Sequence, residues 1–255
     1  MKEVHAFADG RLVRDETEVV GEFPLAIRVN DRELVTLIAS PHDLRFLVAG
    51  FLRVQGFVGS VDDFQMLSVC SDYGVANVRI KGELPETLKP ILTSGCGTGI
   101  TYSLPGAGEE TVRVADGEPV APEAIFALME QLARKAEQYK VHGGVHSAAV
   151  GALDGTLVLH AEDIGRHNTL DRLAGEALIR RMDLAGKLLV TSGRISAEMA
   201  AKAAGLGIPL IASRTSPTDM AIKICQEAGI TLIGYLRGGK FLVYSHPQRI
   251  SAVTE

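Results

Sequence analysis

KLLVTSGRISAEMAAKAAGLGIPLIAS, residues 187–213, sets the architecture. Lys187–Thr191 is a short apolar run closed by small residues, the signature of a buried strand. Ser196–Gly205 follows with helical spacing, and Pro209–Ser213 is a second apolar run of strand length. A strand, a helix and a strand in so few residues form a crossover unit. The same alternation extends in both directions. Downstream come a helix over Pro217–Ala228 with Pro217 as its first residue, a strand over Ile230–Leu236, and Phe241–Ser245 pairing back. Upstream, a helix spans Pro122–Tyr139, strands span Ser147–Leu153 and Thr156–His160, and a helix runs Asn168–Arg181 with Asn168 as N-cap. Strands separated by helices of this length predict a largely parallel sheet covered on its faces, an α/β core.

The first third reads differently. Leu25–Asn30 and Glu33–Ile38 alternate apolar and polar residues around Asn30-Asp31, which predicts a hairpin. Ser40-Pro41 opens a helix with Pro at its first position, and Leu44, Leu47, Val48, Phe51 and Leu52 form its apolar stripe before Gly56. Val75–Lys81 alternates again. The Gly-, Glu- and Pro-rich stretch from Pro105 to Pro122 is a loop joining two halves.

Of the 255 residues, 46% are hydrophobic and 22% charged, ordinary for a globular chain. A net charge of −5 argues against a nucleic-acid coat. No apolar run approaches the roughly 18 residues of a membrane span, and the N-terminus lacks a signal-peptide pattern. Three well-separated cysteines, Cys70, Cys96 and Cys225, are not a disulfide framework. The expectation is a soluble cytoplasmic protein.

Five segments carry chemistry. In Thr93-Ser94-Gly95-Cys96-Gly97-Thr98-Gly99 the thiol lacks apolar neighbours. It is either a glycine turn with an incidental cysteine or an approachable nucleophile. His160 to Asn168 (HAEDIGRHN) gathers Glu162, Asp163, Arg166 and His167 on one turn at a strand end, where open α/β sheets bind ligands. Ser192-Gly193-Arg194 and Ser213-Arg214-Thr215 repeat that placement, with amide-rich turns and guanidinium groups suited to a phosphorylated or nucleotide-like ligand. Tyr235-Leu236-Arg237-Gly238-Gly239-Lys240 is a Gly-Gly hairpin that adds an aromatic face and two cations. There is no GxxxxGK[ST] or GxGxxG. His142 and His146 flank two glycines, which argues against a helical zinc pair.

Together SGCG, GGVHSAA, HAEDIGRHNTLD, TSGRISAEMAAKAA, SRTSPTDMAIK and LIGYLRGGKFLVYSHPQRI resemble the formate dehydrogenase accessory sulfurtransferases, the FdhD/NarQ family, from about Glu22 to Ile250. The resemblance implies a cytidine-deaminase-like three-layer core over 111–255 and a smaller β-rich N-terminal region over 1–110 that carries the Cys96 loop. It implies a cytoplasmic homodimer that takes sulfur from a cysteine desulfurase as a Cys96 persulfide. The sulfur then passes to a molybdenum (or tungsten) bis-guanine-dinucleotide cofactor destined for the formate dehydrogenase catalytic subunit. It assigns cofactor binding to Tyr235, Leu236, Arg237, Gly238, Gly239 and Lys240, with Arg166 and Arg194 as contacts by position, and a guanine nucleotide such as GDP as a mimic. Where many members show CxxC, this chain has Gly99, so Cys96 carries sulfur alone. The deaminase residues H-x-E and P-C-x-x-C are missing, since His146-Ser147-Ala148 stands in the first. A non-catalytic cofactor chaperone and a degenerate nucleotide-processing enzyme are the alternatives.

Overall fold

The computed structural model describes residues 1–85, 91–92, 100–101, 113–115 and 117–251. The chain opens with a hairpin, β1 (Lys2–Ala8) and β2 (Arg11–Thr17), that no sequence pattern announced. Its residues are almost all exposed, Phe7 and Leu12 included, so no buried face imprints an alternation on the sequence.

β3 (Phe23–Val29) and β4 (Arg32–Ala39) form the expected hairpin, with Asn30 and Asp31 both left-handed as a two-residue primed turn requires. After α1 (Leu44–Val54), β5 (Phe64–Cys70) and β6 (Val75–Ile80) complete a four-stranded sheet of order β4-β3-β6-β5. Leu25, Ile27 and Val29 on β3 pack against Leu47, Val48 and Phe51 on α1, an apolar cluster that also takes in Leu178 of the next layer. Pro41 does not begin α1. The helix starts at Leu44 behind a left-handed Asp43, because the polar groups of Ser40 and His42 bond to the other half of the molecule instead of to a helical turn.

β7 (Ile91–Leu92) pairs antiparallel with β8 (Ile100–Thr101), so residues 93–99 connect two paired strands. Those seven residues, Cys96 among them, lie outside the described residues, as does most of the expected 105–122 loop.

The remaining elements are α2 (Pro122–Lys135), α3 (Glu137–His142), β9 (His146–Gly151), β10 (Leu157–Asp163), α4 (Arg166–Ile179), β11 (Leu188–Thr191), α5 (Ala197–Gly205), β12 (Leu210–Ser213), α6 (Asp219–Ala228), β13 (Thr231–Arg237) and β14 (Lys240–Ser245). They build a six-stranded sheet of order β10-β9-β11-β12-β13-β14. The expected largely parallel sheet is corrected here: only β11–β12 and β12–β13 are parallel, while β10–β9, β9–β11 and β13–β14 are antiparallel. The connections between β9 and β10 and between β13 and β14 are too short for a helical crossover, so those pairs must be hairpins.

Alternation along the strands separates two faces. Val150, Leu189, Ile211 and Leu232 point to α4, α5 and α6, whereas Ala149, Leu188, Val190, Leu210 and Ile233 point to α2. The result is three layers, helix on sheet on helix. Among the described residues no helix is long and apolar enough to cross a membrane.

The two halves meet where α1 crosses α4. A Cβ on Gly50 would come within 1.6 Å of the Asp171 carbonyl oxygen, and one on Gly175 within 1.9 Å of the Phe46 carbonyl oxygen. The helices touch backbone to backbone. We expect Gly175→Ala to cost about 3 kcal/mol or more in urea denaturation, because the obstructing atom is main chain and the helices must separate. Gly205→Ala, at a helix position with nothing within 4 Å of the added carbon, is the control and should be neutral or gain up to about 1 kcal/mol.

Candidate functional site

The carboxyl ends of β11, β12 and β13 share one edge of the sheet with the start of antiparallel β9. Their loops interlock. The Ser147 amide donates to Ser192 Oγ at 2.9 Å, and the Ser192 amide to the Ser147 carbonyl at 2.8 Å. Ser213 Oγ donates to the Gly193 carbonyl at 2.7 Å, and the Tyr235 amide to the Thr215 carbonyl at 3.0 Å.

Above this edge lies a cavity of about 520 Å³. One wall is apolar, built from Met129, Leu132, Ala133 and Ala136 of α2 and the turn after it, with Val145. The opposite wall is polar, with Ser147, Ser192 and Thr215 beside Arg214 and Arg237, and Lys140 at the rim. Among the described residues no carboxylate lines it. A concave site with an apolar side and a cationic side suits an anion carrying a flat apolar body, the general form of a nucleotide.

His146 also lines the cavity. Burial, then the charges of Arg166 and His167, hold its imidazole below the usual range against a weaker pull from Asp163, so it is neutral at pH 7. It sits beneath Gly193, where a Cβ would lie 3.3 Å from His146 Nδ1 and 2.9 Å from Arg166 Cβ.

The sequence-derived residues separate into groups. Arg237 lines the cavity; Arg166 and Arg194 do not. Arg166 is the buried first residue of α4, and Arg194 is exposed on the loop after β11. Gly238 and Gly239 both have positive φ and form the turn between β13 and β14, across which Arg237 faces Lys240. Leu236 is buried against α2, and the Arg237 guanidinium lies 5.8 Å from the Tyr235 ring centre. Tyr235 has φ 53° in the middle of a strand, where the β13–β14 register shifts. A left-handed aromatic residue at a bulge is strained, and such bulges re-aim side chains beside binding sites. Arg214 and Ser192 were visible as strand-end loops; the contribution of α2 and α3 to the opposite wall was not, because nothing in their periodicity distinguishes it from ordinary core.

HAEDIGRHN is not a single polar turn. Glu162 and Asp163 end β10, while Arg166 and His167 begin α4, and neighbouring side chains serve three different networks. Glu162 accepts the Gln138 and Tyr139 amides of α3 at 2.9 and 3.0 Å and the Ser147 hydroxyl at 3.3 Å. Asp163 is fully buried and binds Arg172 Nη2 at 2.6 Å and Nε at 2.8 Å. It also accepts from the Ser40 and Gly165 amides and from Asn168 Nδ2. Arg172 in turn donates to the Ser40 carbonyl at 2.8 Å and to the His42 carbonyl. The Ile164 amide donates to Ser40 Oγ. Asn168, expected as a helix cap, lies buried inside α4 and donates to the Ile38 carbonyl; Gly165 holds the cap position. Pro217 likewise precedes its helix, whose N-cap is Thr218.

His167 belongs to the third network. Its Nδ1 is 2.9 Å from Glu198 and its Nε2 3.1 Å from Ser196 Oγ, while Lys202 Nζ binds Glu198 at 3.0 Å and Asp171 at 2.8 Å. Asp171 therefore pairs α4 with α5 instead of serving the start of α4. Burial would raise the Glu198 carboxyl, but Lys202 and His167 outweigh it and hold it well below the usual carboxylate range. His142 closes α3 and His146 opens β9, with Gly143 and Gly144 between them. Among the described residues no group of three His, Cys, Asp or Glu side chains could hold a metal ion.

Lys202→Met strands two buried carboxylates and should cost about 3–5 kcal/mol at pH 7. A carboxyl with a depressed folded pKa contributes stability above its unfolded value, about 4.3 for Glu, and loses it as pH falls. Burial already raises the Asp171 carboxyl with Lys202 beside it, so without Lys202 that group takes up a proton readily. The deficit of Lys202→Met in urea midpoints should therefore begin to narrow as pH falls from 7 and narrow further below about pH 4, where the Glu198 contribution is lost.

The model of the FdhD/NarQ family matches residues 20–251, which leaves the β1–β2 hairpin outside the match. The sulfur carrier protein FdhD of Bacillus subtilis (strain 168) is 35% identical over 256 residues, covering 98% of this chain and 97% of its own length. That of Staphylococcus aureus (strain MRSA252) is 34% identical over 249 residues, 96% of this chain and 93% of its own. A crystal structure described as a formate dehydrogenase accessory protein from Desulfotalea psychrophila superposes with a TM-score of 0.78 at 25% identity, covering 98% of this chain and 97% of that one. The similarity thus runs over nearly the whole length of these proteins, and the chain belongs to the FdhD/NarQ family.

Proposed function

We propose that the chain is a sulfur carrier for formate dehydrogenase maturation, with Cys96 as its persulfide-bearing residue. The observation that carries this reading is the match to sulfur carrier proteins over 98% of the chain. The order β10-β9-β11-β12-β13, with helices on both faces, supports a cytidine-deaminase-like core; its division from an N-terminal region near residue 110 and a homodimeric state belong to the same proposal.

Cys96 thiolate attacks the terminal sulfur of a cysteine desulfurase persulfide; a new S–S bond forms, the donor S–S bond breaks, and the donor leaves as thiolate. In the second step the Cys96 S–S bond breaks, its electron pair staying on the Cys96 sulfur as thiolate, and the sulfane sulfur bonds to the metal of the acceptor, which gives up the two electrons that make it a sulfide ligand. The acceptor is the molybdenum bis-guanine-dinucleotide cofactor, a substrate here, on its way to the formate dehydrogenase catalytic subunit. The two-walled cavity supports that choice: a guanine can lie on the α2 wall while its phosphates meet Arg214, Arg237 and Lys140. At about 520 Å³ the cavity suits one nucleotide arm. Tyr235 to Lys240, with Arg166 at the start of α4 and Arg194 on the loop after β11, are assigned to the rest of the contact.

The other two thiols differ in kind. Burial pushes the Cys225 thiol up to about 12, so it is un-ionised and inaccessible, whereas Cys70 is half-buried at the end of β5.

Incubation with a desulfurase and cysteine, followed by peptide mass spectrometry, should add one sulfur to the Cys96 peptide. Label confined to the Cys70 or Cys225 peptide would refute the assignment. Cys96→Ala should abolish formate dehydrogenase maturation while leaving GDP binding unchanged; full maturation by that variant would leave only the non-catalytic chaperone.

A further inference from the structure

The short helix α3 is built unlike any neighbour. None of its six residues is buried; Tyr139 and Val141 are about half exposed. A helix this short has no stability of its own in water. It is separated from α2 by Ala136, whose ψ of 73° breaks the helical path, and it ends on left-handed Gly143, followed by Gly144. Its first amides are held by no side chain of its own. They are held by Glu162, reaching from β10. Segments with few buried contacts and exposed backbone open at low free-energy cost. Yet this segment supplies Tyr139, Lys140 and Gly143 to the rim of the strand-end cavity.

From this combination we infer that α3 is a lid on that cavity, hinged at Ala136 and Gly143-Gly144, with Glu162 holding its open position and Tyr139 closing over the flat ring of a bound nucleotide. The inference rests on the nucleotide reading of the cavity and adds the moving part and its contact residue. Lys140 at rest spends its ammonium on the Arg134 carbonyl at 2.7 Å, at the end of α2. A phosphate entering between Arg214 and Arg237 gives that ammonium a charged partner in place of a neutral one, a stronger hydrogen bond and a driving force for closure. The aromatic ring on the next residue then covers the apolar body of the ligand and excludes water from the phosphate contacts. The lid therefore contributes affinity only when both halves of a nucleotide are present.

The chain contains no tryptophan, so one introduced indole reports alone. Tyr139→Trp, titrated with GDP, should show a saturable blue shift that tracks GDP binding measured by calorimetry. Val141→Trp, also exposed on the same helix, should not shift. In the unsubstituted chain, hydrogen exchange of the amides over 138–142 should slow when GDP binds, which covers the case of an indole that disturbs the helix. If calorimetry shows binding while neither the fluorescence nor the exchange responds, or if both indoles shift equally, the lid is refuted and the cavity stands. No binding of GDP to the unsubstituted protein overturns the cavity reading and the lid with it.

Discussion

The ion pair between Asp163 and Arg172 is the interaction on which the arrangement of the molecule rests. Both side chains are sealed from water, where an unpaired charge would cost several kcal/mol, so each must satisfy nearly all of its hydrogen-bonding capacity inside the protein. They do so by reaching across to Ser40 and His42, in the chain that links β4 to α1. The N-terminal sheet is thereby fixed to the end of β10 and the start of α4, the same few residues that set the edge of the larger sheet. A buried pair replaced by apolar residues often costs nothing in stability; what this pair supplies is position.

The segment around it divides its labour residue by residue. Glu162 acts on α3, Asp163 on the N-terminal half and His167 on α5, because a strand end followed at once by a helix turns successive side chains in different directions. One compact motif thus sets the height of the cavity rim, the placement of the second sheet and the register of two helices. Arg166, between them, adds positive charge beneath Gly193 and helps keep His146 neutral.

Much of this was legible from the sequence. The buried strands β11, β12 and β13 and the helices between them follow directly from apolar runs and small-residue punctuation, and Asn30-Asp31 fixed its turn. The errors share a cause. Pro41, Asn168 and Pro217 all carry strong local preferences for a helix start, and at each the boundary moved by two or three residues. At the first two, long-range hydrogen bonds used the polar groups that a local cap would need. The break at Ala136 was hidden for the same reason, since the carboxylate that holds α3 lies on a strand 24 residues away. The strand direction at β9 depends on connection length rather than on pattern, whereas β14 pairs back through its Gly-Gly turn as expected. HAEDIGRHN was read as a place of polar recognition or acid–base work, whereas most of its polarity is spent on holding the fold together. The Cys96 segment was legible only as chemistry, and there the reading still stands on composition and resemblance.

The contact between Gly50 and Gly175 has a consequence for how such a chain can change over generations. In most cores a larger side chain can be accommodated by a smaller one opposite, so paired positions drift together. Here the atoms facing each glycine are main-chain carbonyl oxygens, which every amino acid carries alike. No substitution at the opposite position can make room, and neither glycine can be rescued by a second change nearby. The two positions are therefore closed to compensatory exchange, and the orientation of the N-terminal sheet over the larger one is the property that such a lineage is least free to alter.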